Sequence, residues 1–413
     1  MGNTVTLQSI ELFTGAGGLA LGTHAAGFHH RALFEWNPDA CRTLRRNRAA
    51  NTVRGIRNWG EIVEGDVRAI PDFSTLGSLD LIAGGAPCQP FSIGGKHHGA
   101  RDKRNMIPEF VRAVRQAKPR AFILENVRGL ARKAFASYLS YVTLQLTHPE
   151  VLPRPGESWQ AHHRRLQEVH THGRRDGLNY NVVFDVLNAA DYGVPQVRER
   201  LFVVGFRADM GIDWHFPEPT HSYEALLVDQ FVTGRYWDRH DIGRPATAPA
   251  FMRRGPYPSS AMRQKRAWRT IRDAIGDLPS PRADRDSING VTSHRIQLGA
   301  RLYVGHTGSP CDLPSKTLKA GDHGVPGGEN TVVFSNGMFR YLTVRESARI
   351  QSFPDEWIFE GAWSEVMRQL GNAVPKELAH VVARSVANAL RVHSDRRSSA
   401  SKRRRGIRPA SRQ

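Results

Sequence analysis

Residues 9–13, Ser-Ile-Glu-Leu-Phe, form a short apolar run. It stops in Thr14-Gly15-Ala16-Gly17-Gly18 and resumes with Leu19-Ala20-Leu21 at helical spacing as far as Gly27. A strand, a glycine turn and a helix in that order restrict the fold strongly. They predict the first unit of an α/β sheet whose glycines let the backbone approach a ligand and whose helix start offers free amides. A second apolar run, Ala32-Leu33-Phe34-Glu35, ends in an acid. It lies about 20 residues past the turn, where such folds place a ribose-binding carboxylate. Trp36 follows and can pack against a flat ligand group, and Asn37-Pro38 reads as the cap and first residue of a helix to about Asn47. Asp66, after Gly65, is a further candidate acid at the end of a third apolar stretch.

The fourth run, Leu79-Asp80-Leu81-Ile82-Ala83, ends in Gly84-Gly85-Ala86-Pro87-Cys88-Gln89-Pro90. The two prolines cannot continue a ladder, so Cys88 is expected on a stiff, irregular segment at a strand end. The next strand, Ala121-Phe122-Ile123-Leu124, delivers Glu125-Asn126-Val127. Two successive strands thus bring a thiol and a carboxylate to one sheet edge, where ligands of open α/β sheets gather. Between them, residues 92–105 hold glycines, two histidines, Arg101, Lys103 and Arg104, a composition suited to a basic lid. Further on, Gln196-Val197-Arg198-Glu199-Arg200 runs into the strand Leu201–Gly205. The alternation points Arg198 and Arg200 to one side, where they can clamp a carboxylate or phosphate.

Other segments carry less chemistry. Residues 147–178 contain Trp159 and four histidines without metal-ligand spacing, and read as a solvated, partly helical insertion. No metal is expected. Residues 208–342 are rich in Pro, Gly and Arg with weak periodicity, and read as a separate, irregular small domain. A helix is expected near 343–353. Another starts at Pro375 and runs to about Leu390, with Leu378, Val382, Val386 and Leu390 on one face, and should dock on the first domain. Residues from about 394 read as a disordered tail.

Lys and Arg number 58 against 39 Asp and Glu, giving +19. Residues 396–413 hold eight of these positive charges and no acid, which leaves the body at +11. An excess spread over body and tail points to a polyanion, above all nucleic acid. Three distant cysteines, Cys41, Cys88 and Cys311, form neither a disulfide framework nor a zinc pattern and fit a reducing cytoplasm. No apolar run reaches membrane-spanning length, and the N-terminus has no signal-peptide pattern.

The strings ELFTGAGGL, GGAPCQPFS, ENV, QVRER and QLGNAVP occur in that order. Together they closely resemble the DNA (cytosine-5) methyltransferases, in the form of a bacterial type II restriction–modification enzyme. The resemblance covers nearly the whole chain except 147–178, most of 208–310 and the tail. It implies an α/β, Rossmann-like large domain dependent on S-adenosyl-L-methionine, spanning 1–207 and completed by 363–393. It further implies a smaller irregular target-recognition domain at 208–342, with 343–362 as a hinge region and 394–413 as a basic disordered tail.

By the same resemblance Cys88 is the nucleophile that adds to carbon 6 of a flipped cytosine. Glu125 contacts the base at ring nitrogen 3, Arg200 binds its carbonyl oxygen, and Arg198 positions the loop and the active site. The cofactor would lie on Phe13, Gly15, Gly17, Gly18, Glu35, Trp36 and Asp66, closed by Pro87 and Asn372-Ala373-Val374. Ser92, Arg101, Thr317 and Leu318 are the candidate DNA contacts. Double-stranded DNA is the implied partner, a cognate restriction endonuclease acts on the same site without a stable complex, and a cytoplasmic monomer is expected. A shorter tRNA-methylating relative is disfavoured by the long basic small domain, and a dead DNA-binding relative by the intact Cys88, Glu125, Arg198 and Arg200.

Overall fold

The computed structural model describes residues 6–87, 105–173, 176–245, 264–305, 307–320 and 328–406. In chain order the first half contains β1 (Leu7–Leu12), α1 (Gly18–Ala25), β2 (Phe28–Glu35), α2 (Pro38–Ala50), β3 (Glu61–Glu64), β4 (Leu81–Gly85), α3 (Ile107–Ala117), β5 (Ala121–Val127), α4 (Ala136–Thr147), α5 (Trp159–Thr171), β6 (Tyr180–Asn188) and β7 (Glu199–Arg207). The second half contains β8 (His221–Ser222), α6 (Tyr223–Leu227), α7 (Arg235–Arg239), β9 (Arg266–Ala267), α8 (Ile271–Ile275), β10 (Ser309–Pro310), β11 (Thr331–Val333), β12 (Phe339–Tyr341), α9 (Val344–Ile350), α10 (Trp363–Asn372) and α11 (Lys376–Gly406).

Seven strands form one sheet in the order β3-β2-β1-β4-β5-β7-β6. β1 to β5 run parallel, and β7 is antiparallel to both β5 and β6. The order reverses between β1 and β4, so the crevice at their carboxyl ends is the natural ligand position. The central strands read as near-continuous apolar runs because both faces are covered. Ile10, Leu12, Ile82, Phe122 and Leu124 pack towards α3 and α4, while Leu81, Ala83, Ile123 and Val204 pack towards α11.

α2 begins as the sequence predicts, with Asn37 Oδ1 accepting from Ala40 N at 2.8 Å and Pro38 at the first helical position. α11 buries Leu378, Val382, Val386 and Leu390 against the sheet. It lies beside α1 in the same direction. A Cβ added at Gly18 would meet Val374 O, one at Gly22 would meet Ala379, and one at Gly27 would meet Arg391.

Several expectations change. The tail does not begin at 394: α11 continues as helix to Gly406. A docked helix is already nucleated, and Ala, Lys and Arg extend it readily until the first glycine, Gly406. The 147–178 segment is not a solvated insertion throughout. α5 packs on α4, with His162 fully buried between Tyr141 Oη (3.0 Å) and Val151 O (2.8 Å). Residues following 207 have not yet left the large core, since Met210 and Trp214 are buried with Phe206 beside α11. The 343–362 segment is firmly packed: Ala348, Phe353, Trp357 and Phe359 share a core with Leu33, Cys41 and Leu44. Isolated aromatics without periodicity gave no sequence sign of that packing. The small region has its own cores, one around Ile271, Leu318, Val332 and Leu342, the other around Leu226, Tyr236 and Trp237. Among the described residues no helix is long and apolar enough to cross a membrane.

Candidate active site

The parallel register pairs Gly85 of β4 with Glu125 of β5. A Cβ at Gly85 would lie 3.1 Å from Glu125 Oε2, so any larger residue there would press on the carboxylate. Glu125 is only 7% exposed. Its Oε1 meets Arg200 Nε at 3.0 Å, a contact made possible because β7 runs antiparallel beside β5. Burial raises the Glu125 pKa above its usual range, and Arg200, then Arg198, pull it back. Burial likewise lowers that of Arg200, with Glu125 opposing.

Cys88, Ser92 and Arg101 lie outside the described residues, as does the 92–105 lid segment apart from Asn105. The ends that flank this segment are placed. Pro87 is exposed, and its carbonyl accepts from Met106 N at 3.3 Å. Asn126 Nδ2 donates to Ala86 O at 3.0 Å. Asn126, buried beside Glu125, therefore fixes the chain two residues ahead of Cys88. It was visible in the string ENV, but only its carbonyl partner shows what the amide does.

The glycine turn sits at the carboxyl end of β1. Phe13, Gly15 and Gly17 all have positive φ, at 57°, 56° and 92°. Around a Cβ built at Gly15 no atom lies within 4 Å, which leaves room for a ligand, whereas Gly18 packs directly on the Val374 carbonyl. Glu35 Oε2 accepts from Gly15 N at 2.7 Å, and Oε1 accepts from Trp36 N at 3.0 Å and Asn37 N at 2.8 Å. The carboxylate thus also clamps the turn. Its pKa is raised by burial, against the pull of these three amides. The Trp36 ring is 73% exposed beside it. The Asp66 carboxylate accepts from Arg68 N at 2.9 Å and pairs with the Arg68 guanidinium, which lowers its pKa. Asn372 is exposed, while Ala373 and Val374 are buried.

Arg198 and Arg200 have different tasks. Arg198 is fully buried and donates through Nη1 to Leu318 O (3.1 Å) and through Nη2 to Gly371 O (2.6 Å) and Ala373 O (2.9 Å). It ties three distant segments together, an arrangement suited to positioning. Gln196 and Gln351, also fully buried, complete the junction. Gln196 Oε1 accepts from Leu318 N at 3.0 Å, and its Nε2 donates to Gln351 Oε1 at 3.2 Å. Gln351 Nε2 donates in turn to Leu370 O at 2.5 Å. Leu318 is buried and Thr317 Oγ1 donates to Val197 O at 2.8 Å. These two residues seat the small region on the QVRER segment, with the Leu318 side chain turned into the core. Gln351 gave no sequence signal, because a glutamine at a helix end has no characteristic spacing.

Known proteins resemble this chain over most of its length. The family model "C-5 cytosine-specific DNA methylase" matches residues 7–148 and 161–388, so it includes most of α5 and all of the small region. The chain is 33% identical over 390 residues to the type II methyltransferase M.PspPI of Psychrobacter sp., covering 92% of this chain and 79% of that one. It is 32% identical over 389 residues to M.NgoMIV of Neisseria gonorrhoeae, covering 93% and 98%. The fold matches that of the S. pombe Dnmt2 methyltransferase with a TM-score of 0.52 at 15% identity, covering 93% of this chain and 98% of that one. With the buried acid, the glycine turn and these matches together, the chain belongs to the C-5 cytosine-specific DNA methylases and is a DNA cytosine-5 methyltransferase of the type II restriction–modification kind.

Proposed function

We propose that this enzyme methylates carbon 5 of a flipped cytosine in a specific duplex sequence through a covalent adduct with Cys88. The observation that carries this is the Glu125–Arg200 pair at the carboxyl edge, in register with Gly85 and three residues from Cys88. Carbon 5 is a weak nucleophile. Addition of the Cys88 thiolate to carbon 6 turns the ring into an enamine whose carbon 5 can attack. Glu125, whose burial favours the protonated form, holds a proton at ring nitrogen 3 as the adduct forms. Arg200 orients Glu125 and binds the base's carbonyl oxygen. Arg198, through its three carbonyl acceptors, holds the strand that carries Arg200 and the 371–373 segment in place. After methylation the carbon-5 proton leaves to a base, the Cys88–carbon 6 bond breaks and the thiol is released. The target carbon is unreachable in a duplex, so the base must be extruded.

The residues at the β1 turn fit S-adenosyl-L-methionine: open space at Gly15, an exposed Trp36 ring and the Glu35 carboxylate. When bound, this cofactor supplies an electrophilic methyl group on a sulfonium. Phe13, Gly15, Gly17, Gly18, Glu35 and Trp36 would hold it, with Asp66, Pro87 and Asn372-Ala373-Val374 at the rim. Residues 208–342 would read the target sequence. The enzyme would act as a cytoplasmic monomer that protects host DNA from a restriction endonuclease of the same specificity, without a stable complex. The names of its type II relatives support that role.

The test is a duplex with 5-fluorocytosine at the target position, where the fluorine blocks the final elimination. With cofactor present, the wild-type protein should form an adduct that survives denaturation and Cys88→Ser should form none. Methylation by Cys88→Ser at the wild-type rate would overturn the covalent mechanism.

A further inference from the structure

The candidate active site and the basic C-terminal helix lie at opposite ends of the sheet. α11 starts at Lys376, just after Val374, which packs on Gly18 at the carboxyl edge. Eighteen residues later it has crossed to the amino edge. There Arg120, immediately before β5, donates to Leu390 O at 3.1 Å and to Ser394 Oγ at 2.9 Å. Arg391 donates to Ala26 O at 3.1 Å, just ahead of β2. The crossing spans roughly 27 Å at 1.5 Å per residue. The buried stripe ends at Leu390, and beyond it the only apolar residues of the helix are Val392, which is exposed, and Ala400. Nothing in that sequence can dock on a core.

The helix nevertheless continues to Gly406, about 18 Å past the last contact with Arg120. Residues 396–405, Arg-Arg-Ser-Ser-Ala-Ser-Lys-Arg-Arg-Arg, carry six positive charges and no acid. A helical arm of that charge is a match for a phosphate backbone. It starts at the edge opposite Glu125, Pro87 and the glycine turn, so a duplex engaged there is not within its reach.

We propose that the arm binds a second segment of duplex DNA, so that one molecule bridges two segments while the target is held at the opposite edge. This rests on the target duplex occupying the carboxyl edge, as proposed above. The consequence is local: a second, sequence-independent foothold keeps the enzyme near DNA when the first segment is released. It also moves the enzyme between neighbouring segments of one long molecule.

The experiment compares the full chain with a variant in which Arg396, Arg397, Lys402, Arg403, Arg404 and Arg405 are replaced by Gln, which preserves helix propensity. A short duplex with the target sequence is tethered to beads, and capture of a second, labelled, non-target duplex is measured at low salt. The wild-type protein should capture it, and the variant should capture about tenfold less or lower, as expected for the loss of several phosphate contacts. Methylation of the single short duplex should be equal in the two proteins. Failure of the wild type to capture a second duplex would overturn the inference. So would a parallel loss of affinity for the tethered duplex in the variant, because the arm would then contact the same segment. Binding of the wild type to anionic phospholipid vesicles in place of the second duplex would also overturn it. Absence of methylation by both proteins would tell against the proposed function, while capture of the second duplex would still report on the arm.

Discussion

Glu125 and Arg200 face one another across the antiparallel pair β5–β7, Oε1 to Nε at 3.0 Å, with both side chains largely withdrawn from water. Burial raises the carboxyl pKa and Arg200 partly offsets it, so the guanidinium limits how far the pH at which Glu125 gives up its proton moves upward. If the protonated carboxyl serves nitrogen 3, kcat/KM falls as pH rises through that value. Arg200→Ala should move the fall to higher pH at a lower overall rate. Glu125→Gln should reduce kcat by about a hundredfold or more, the range of a positioned acid. An Arg200→Ala profile that keeps the wild-type shape would refute the coupling.

Arg198 should behave differently from Arg200 although they are two residues apart. Arg198→Met leaves the carbonyls of Leu318 and Gly371 without this donor, and that of Ala373 with only the 3.5 Å bond from Gln351 Nε2. Each buried unpaired group costs about 1–3 kcal/mol. Thermal unfolding should therefore show a marked drop in Tm, with weaker cofactor binding by calorimetry, because the 371–373 segment loosens. Arg200→Met should lower kcat with a much smaller change in Tm. Equal Tm losses would argue against separate roles.

Two glycines of the turn separate packing from ligand approach. Gly18→Ala would put a Cβ at 2.2 Å from Val374 O, and backbone cannot yield as a side chain would. The variant should lose about 1–3 kcal/mol of stability. Gly15→Ala meets no atom, and its φ of 56° costs roughly 1–2 kcal/mol. Its affinity for S-adenosyl-L-homocysteine should fall by more than this strain accounts for, since the new methyl fills the open space. Undiminished affinity, by titration calorimetry, would move the ligand away from Gly15.

Glu11 is fully buried in β1 and neither carboxylate oxygen has a hydrogen-bond partner. Burial holds its pKa well above the ordinary value, with a smaller opposing pull from the Ala20 backbone. A raised carboxyl contributes fully below the unfolded value, about 4.3, and that contribution is lost as pH rises towards the folded value. Glu11→Gln removes this dependence. The stability of the variant relative to wild type should climb as pH rises above about 4.3, by up to about 1.4 kcal/mol per pH unit, as read from Tm across a pH series. A difference independent of pH would show that Glu11 is ionised in the fold.

Much of the fold was legible in the chain. Apolar runs ending in Gly, Pro or an acid marked the strands of the sheet, because strands buried on both faces need nearly continuous apolar residues. The Asn37 cap, α3 and the apolar stripe of α11 followed from local chemistry and periodicity. The irregular region was harder. Its cores are assembled from single residues such as Ile271, Leu318, Val332 and Ile350, whose spacing in sequence carries no period. The helix beyond Ser394 was missed because its composition, taken alone, favours solvation, and only the docked segment before it supplies a nucleus.

The sequence by itself determined which described groups reach the carboxyl edge: the glycine turn, Glu35, Glu125 and two alternating arginines. Period-two alternation puts Arg198 and Arg200 on one side of a strand but does not say what stands opposite. That was decided by contacts 120 to 175 residues away, which give Arg198 three buried carbonyls and leave Arg200 to Glu125. The same long-range packing buries Leu318 and carries the basic arm to the far edge of the sheet. Local spacing encodes direction along an element, whereas partners depend on which distant segments the core brings together.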